Sequence, residues 1–161
     1  MAETLGSLCD KLTVIKLKQF HSEDPERLAS LAIQEEQLHE EMNEFIVRAI
    51  SGSIPLERLT FDANKVYRRE GNTVPQISGN IGEVFSQLSQ VNCTLWHEQE
   101  KVYEFERVPV QEKDKVVKRL ALLNLERTEC IDLINTQFRD LIERATIDLR
   151  ASKGVKNASD S

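Results

Sequence analysis

The segment that decides the fold is residues 5–21, LGSLCDKLTVIKLKQFH, because its pattern returns in residues 81–97, IGEVFSQLSQVNCTLWH. In both segments apolar residues recur every three or four positions, which is the rhythm of an amphipathic helix. Any two amphipathic helices share apolar positions, so the informative matches are the others: Gly6 with Gly82, and an aromatic-His pair at the end of each segment. These matches predict two helices of common origin.

A second match lies further along the chain. The tripeptide RLA at residues 27–29 returns at 119–121, and Asn43 corresponds to Asn135. Each half of the chain is therefore predicted to be one helical hairpin. Two hairpins that each expose an apolar stripe bury it best against one another. We predict an all-α fold, a four-helix bundle built from two duplicated helical hairpins plus one short extra helix.

Helix start and stop signals set the predicted boundaries. Thr4 and Asp24 are candidate N-caps, Pro25 suits the first position of a helix, and Val108-Pro109 interrupts one. We predict one domain, residues 1–150. Its parts are hairpins at 4–50 and 80–149, a short helix from Leu56 to about Glu70 crossing outside the bundle, and a linker at 71–79, with a flexible tail at 151–161.

Composition narrows the classes of partner. The 161 residues carry a net charge of -6, which argues against a broad phosphate-binding face and so against nucleic acid. No apolar run reaches the roughly 18 residues that a membrane-spanning helix needs, and residues 1–10 lack the pattern of a signal peptide. We therefore expect a cytoplasmic protein that does not insert into membranes.

The three cysteines do not form a recognisable framework. Their number is odd and no CxxC spacing occurs, which disfavours disulfides and a zinc site. The repeat places each of them, Cys9, Cys93 and Cys130, opposite a large apolar residue of the other copy. We expect reduced thiols at core positions.

A histidine with a carboxylate three residues later occurs at equivalent helix ends. The pairs are His21 with Asp24 and His97 with Glu100. Side chains three positions apart share a helix face, so His97 and Glu100 could orient each other or hold a divalent metal. The alternative is an exposed histidine beside a carboxylate, with Asp24 serving as a cap.

Polar residues also interrupt apolar faces in the second half. Asn124 and Arg127 fall on the stripe that contains Leu120 and Ile131, and Asn92 follows Val91. A buried arginine needs a carboxylate, a carbonyl or an anionic ligand as its partner. One interpretation is an internal hydrogen-bond network that sets the hairpin register. The other is a polar pocket between the hairpins, lined by Asn92, Trp96, His97, Asn124 and Arg127.

Other catalytic patterns are weak. Glu36 and His39 have the spacing of a di-iron motif but no counterpart in the repeat. ExxE at residues 41–44 and ExxD at 129–132 suggest a pyrophosphohydrolase, yet they lie far apart in sequence. The common nucleotide-binding, hydrolase and zinc-protease motifs are absent. We therefore expect no cofactor and no resident metal.

Several of these residues resemble the pattern of an all-helical bacterial domain family of unknown function. The resemblance covers about residues 80–145 and, more loosely, 4–24, and the chain departs from it at Tyr103–Pro109. It implies a bacterial origin and an association with genes of surface-polysaccharide synthesis. The residues that carry it are Asn92, Trp96-His97-Glu98, Lys118-Arg119, Leu123-Asn124, Arg127 and Ile142-Glu143.

Duplication without a strong catalytic signature leads to the functional prediction. The leading hypothesis is a non-enzymatic cytoplasmic interaction or assembly protein that binds a protein partner or forms a homodimer. The alternative is a small-ligand or metal-dependent enzyme, for example one that processes a nucleotide or sugar nucleotide. A small anionic ligand would suit the group formed by His97, Glu100, Asn124 and Arg127.

Overall fold

Four α-helices pack together in a computed structural model, which describes residues 3–61 and 73–159. No β-strand occurs within these ranges, so the predicted all-α class is confirmed. No described helix combines the length and apolar character needed to cross a bilayer. The helices are α1 (Leu5–Phe20), α2 (Pro25–Ile50), α3 (Ile81–Tyr103) and α4 (Val110–Ser159).

Side-chain caps fix where the helices begin. Thr4 and Ser7 form a reciprocal capping box at the start of α1, with N···O distances of 2.9 and 3.3 Å. Asp24 caps α2 in front of Pro25, as predicted. Asn80 builds a second capping box at the start of α3, which the sequence analysis did not anticipate.

Helix α1 lies at the centre of the arrangement. It contacts α2, α3 and α4, while α3 and α4 pack along each other. Helix α3 runs parallel to α1, and α4 runs antiparallel to it. The contacts that fix these directions are Asp10 with Asn92, His21 with His97, Gly6 with Asn135 and Asp10 with Arg127. We call the end formed by residues 21–24 and 104–109 the connection end.

Two apolar clusters make up the core. One joins α1 to α2 through Leu8, Ile15, Leu31 and Leu38. The larger one draws on all four helices and on the segment after α2, and four of its members have no exposed surface at all. It consists of Leu5, Cys9, Ala49, Leu59, Val84, Leu88, Cys130, Ile134 and Phe138.

The prediction of a short helix from Leu56 to Glu70 is wrong over the residues that the structure describes. The structure has only a single 3-10 turn, Leu56–Arg58, and the predicted part from residue 62 onward lies outside the described residues. Leu59, directly after this turn, is fully buried in the larger cluster. The segment therefore covers the core instead of crossing outside it, because burying Leu59 outweighs the weak tendency of a short isolated helix to form.

The end of α4 also differs from the prediction. Apolar periodicity fades at Leu149, but the helical backbone continues to Ser159. Helix propagation adds one hydrogen bond for each residue fixed, so an existing helix extends through residues that could not start one. The flexibility of 151–161 stays a prediction.

Helices α1 and α4 approach each other closely at Gly6. Its amide donates to Asn135 Oδ1 at 2.7 Å, and a Cβ placed on it would overlap the carbonyl oxygen of Ile131. At Gly82, its counterpart in the repeat, the nearest atom to such a Cβ is Asn80 Oδ1 at 3.4 Å. The glycine is thus required in the first copy only.

We predict that Gly6→Ala lowers the free energy of unfolding by about 1–3 kcal/mol, because the new methyl group must push α1 away from α4. The matched control, Gly82→Ala, should be neutral or stabilising by up to about 1 kcal/mol through helix propensity. Urea unfolding followed by circular dichroism measures both. Equal losses in the two variants would contradict the close approach.

Candidate functional site

A polar network lies inside the apolar interior and joins three helices. Arg127 donates to the Asp10 carboxylate from Nε at 2.7 Å and from Nη2 to the second oxygen. Asn92 Nδ2 donates to Asp10 Oδ1 at 2.9 Å and to Thr13 Oγ1 at 2.6 Å. Thr13 in turn donates to the backbone carbonyl of Asp10 at 2.8 Å. We call these four residues the Asp10 network.

Burial makes the pairing in this network necessary. The Asp10 side chain is 8% exposed and that of Arg127 is 34% exposed. The hydrogen bonds to Asp10 raise the pKa of Arg127, and burial opposes them only in part. Both carboxylate oxygens accept hydrogen bonds, so the charge of Asp10 is compensated where water does not reach it. The arrangement is that of a structural junction.

The network gathers some of the predicted site residues and leaves others out. Asn92 and Arg127 meet, as the internal-network interpretation requires. Asn124 is exposed, and its amide donates to the carbonyl of Leu120 on its own helix at 2.9 Å. It therefore does not lie on the buried stripe of α4, because residues 123, 127 and 130 face the core and residue 124 is turned about 100° away from 123.

Two members of the network were missed in the sequence. Asp10 and Thr13 lie with Gly6 on a second inward face of α1, at the four- and three-residue spacing of one helix stripe. The apolar positions of α1 alone define one stripe, and the second is visible only once α1 is known to be buried on several sides. A glycine, a carboxylate and a threonine at this spacing were the available signal.

A second cluster joins the ends of α1 and α3. The His21 ring stacks on Trp96 with centroids 4.9 Å apart, and it meets His97 edge-on at 5.7 Å. Glu100 accepts a hydrogen bond from Trp96 Nε1 at 3.2 Å, and its other oxygen lies 3.3 Å from His97 Nδ1. These four residues form the His21 cluster. The structure thus brings together the two histidines that the repeat made equivalent.

The His21 cluster is open to solvent. The side chains of His97 and Glu100 are each 56% exposed. Asp24 does not join them, because it accepts from the amide of Glu26 at 3.0 Å as the cap of α2. Within the part of the chain that the structure describes, no group of three or more His, Cys, Asp or Glu side chains is placed to hold a metal. The cluster offers ring stacking and one exposed histidine–carboxylate hydrogen bond.

Two carboxylates on α4, outside these clusters, also have shifted pKa values. Burial raises the pKa of Glu126 and of Asp132, and the nearby charge of Glu129 adds to both effects. Glu41 and Glu44, the other predicted pair of carboxylates, lie on the exposed side of α2. Among the residues that the structure describes, the two acidic patterns therefore do not form a common site.

Comparison with known proteins adds no relative. Neither the family models, nor the curated proteins, nor the solved structures gave a match. The assignment of function therefore rests on the residues of this chain.

Two of the three thiols lie in the core, as expected. Cys130 is fully buried and Cys9 is 7% exposed, and burial raises the pKa of each to about 11. Cys93 is half-buried on α3. The first two cysteines act as small apolar residues.

We predict that a thiol reagent at neutral pH modifies Cys93 first, because only thiolates react and the other two thiols stay protonated and shielded. Cys9 and Cys130 should react only on unfolding. Timed addition of Ellman's reagent, with and without guanidinium chloride, measures this. Fast reaction of a Cys93→Ala variant would contradict the burial of the other two thiols.

We also predict that Asp10→Ala lowers the free energy of unfolding by about 1–3 kcal/mol, since Arg127 and Asn92 lose their acceptor. The neighbouring Lys11→Ala removes only the exposed pair with Glu3 and should cost less than about 1 kcal/mol. Chemical denaturation measures both variants. The double variant Asp10→Ala/Arg127→Ala should lose less free energy of unfolding than the sum of the losses in the two single variants. Strict additivity of the two losses would argue against the junction.

Proposed function

We propose that this protein is a non-enzymatic helical interaction protein that assembles with a second copy of itself through the connection end. The observation that carries the proposal is a set of large apolar side chains at that end. Phe20, Tyr103 and Val110 are 84%, 82% and 81% exposed. They belong to three different helices, so a partner would cover parts of α1, α3 and α4 together.

Burial of these side chains supplies a driving force for association. Exposed apolar groups on one surface mark interaction sites, and aromatic residues are enriched in the centres of interfaces. The surrounding charges are of both signs, with Lys101 near Glu98 and Arg107 near Glu104. A two-fold interface places one patch against its own copy, so a patch that contains both signs can complement itself.

The internal hydrogen bonds of the polar residues also support a non-enzymatic role. Asn92 and Arg127 bind Asp10 inside the fold, and Asn124 bonds its own helix. Chemistry requires side chains that face a substrate and change their partners during a reaction. The internal bonds of these residues instead suit a rigid scaffold.

We further propose that the two hairpins arose by duplication and then diverged. The parallel course of α1 and α3 and the meeting of His21 with His97 support a common origin. Only the first copy retains a close helix approach, at Gly6. The family resemblance motivates the additional proposal of a bacterial cytoplasmic protein that acts beside an enzyme of surface-polysaccharide synthesis.

We predict that the wild-type protein sediments as a reversible dimer whose population rises with concentration. Phe20→Ser combined with Tyr103→Ser should shift it to monomer, because the apolar centre of the interface is lost. Sedimentation velocity over a concentration series measures the equilibrium. The control is Ile50→Ser, which replaces an exposed apolar residue at the opposite end of α2.

The control variant should dimerise like the wild type. A wild-type protein that remains monomeric throughout the series would overturn self-association. A dimer that Ile50→Ser disrupts and the Phe20/Tyr103 variant preserves would overturn the choice of surface. Circular dichroism of each variant confirms that the helices are retained.

A further inference from the structure

A groove runs between α1 and α2 and ends at Arg127. It is an open depression with a volume of about 380 Å³, within the range of roughly 300–1,000 Å³ typical of small-molecule sites. Val14, Ile15 and Leu38 supply its apolar surface. Its lining residues do not include Phe20, Tyr103 or Val110, the apolar side chains of the connection end.

The two ends of the groove differ in charge. At one end Arg127 is bonded to Asp10, Lys11 is bonded to Glu3, and Glu41 adds a further negative charge. The cations at this end are therefore offset by carboxylates. An anion would therefore gain little favourable electrostatic interaction at this end of the groove.

The other end carries an uncompensated cation. Lys18 lines the groove and makes no ion pair with any described residue. Gln34 and Gln37, on successive turns of α2, also line the groove, and the Gln34 amide donates to the backbone carbonyl and hydroxyl of Ser30 at 3.4 and 3.3 Å. An ammonium group beside an amide group can hold a carboxylate or a phosphate by charge and hydrogen bonds.

The span of the groove sets the shape of its ligand. Lys11 and Lys18, seven residues apart on α1, are separated by about 10 Å along the helix. The apolar side chains lie between the neutralised end and the cationic end. A ligand with one anionic group and an elongated apolar body matches this order.

We propose that the groove is a binding site for a small amphiphilic organic anion. The anionic group binds Lys18 and Gln37, and the apolar body lies along Val14, Ile15 and Leu38 toward Arg127. The Asp10 network holds Arg127 in place and closes that end of the groove.

The test uses octanoate as the probe, with 1-octanol as the uncharged equivalent and inorganic phosphate as the anion without an apolar body. Titration of the isotope-labelled full chain, followed by amide chemical shifts, gives both affinity and location. We expect saturable octanoate binding with shifts at Val14, Lys18, Gln34 and Gln37. Octanol and phosphate should each bind at least about tenfold more weakly, since each lacks half of the interaction.

Variants then distinguish binding in the groove from nonspecific binding elsewhere on the surface. Lys18→Met keeps the aliphatic stem and should weaken octanoate about tenfold, while Lys16→Met, a change of an α1 lysine outside the groove, should leave it unchanged. Val14→Phe fills the groove and should abolish binding with the helical content retained. These substitutions avoid the Asp10 network, so a folding defect does not confuse the result.

Three outcomes would overturn the proposal. The first is that octanoate shows no saturable binding, and the second is that octanol binds as tightly as octanoate. The third is that the chemical shifts caused by octanoate are confined to Phe20, Tyr103 and Val110. Vesicles of an anionic phospholipid present the same chemistry at a surface. If the chain binds those vesicles but not free octanoate, the small-molecule site is likewise rejected.

Discussion

A carboxylate that water barely reaches determines how three of the four helices meet. Asp10 belongs to a helix surrounded by the others, and an isolated charge in that place would be strongly unfavourable. It is tolerated because Arg127 from α4 and Asn92 from α3 converge on its two oxygens. Sliding either helix by one turn, about 5.4 Å, would separate these groups. Apolar side chains can repack after such a shift, but this set of hydrogen bonds cannot, so the network specifies one register.

The central position of α1 explains the rest of the architecture. Since α1 is contacted from three sides, its inward residues include Gly6, Asp10 and Thr13 as well as leucines. Helix α2 packs mainly on α1, and its later part reaches α4 through the contact of Phe45 with Phe138. Toward its start, α2 is farther from α4, and the groove that ends at Arg127 lies along this side of α1. The same arrangement therefore produces a rigid junction and an open depression next to it.

The sequence predicted those features that depend on neighbouring residues. Thr4, Asp24 and Pro25 act within one helical turn, so their roles could be assigned without knowledge of the fold. The repeat identified His21 and His97 as equivalent positions, but it did not predict that their rings meet. Features that depend on distant packing were not predicted. Leu59 is buried because it joins the larger apolar cluster, whose other members come from all four helices, and nothing in its local pattern distinguishes this from a continued helix.

The candidate site shows the same division. Arg127 and Asn92 were identified because polar residues near apolar stripes are conspicuous, but their partner Asp10 was not identified. Asn124 was assigned to the same stripe because a spacing of three or four residues does not say which side of a long helix is covered. The orientation of α4 depends on where α1 and α3 lie, and one sequence does not contain that information in a local form.

The closest contacts of α1 also have a consequence for the order of assembly. Gly6 and Asp10 find their partners 129 and 117 residues later in the chain. During synthesis α1 therefore emerges before α4 and pairs with α2. The Asp10 carboxylate, which is buried in the complete fold, stays in water until α4 has been made. Contacts of such long sequence separation form late because the intervening chain must first be ordered. Pairing of α4 with α1 is thus the step that completes the fold, and a chain that stops before α4 would leave the Asp10 carboxylate without its arginine partner.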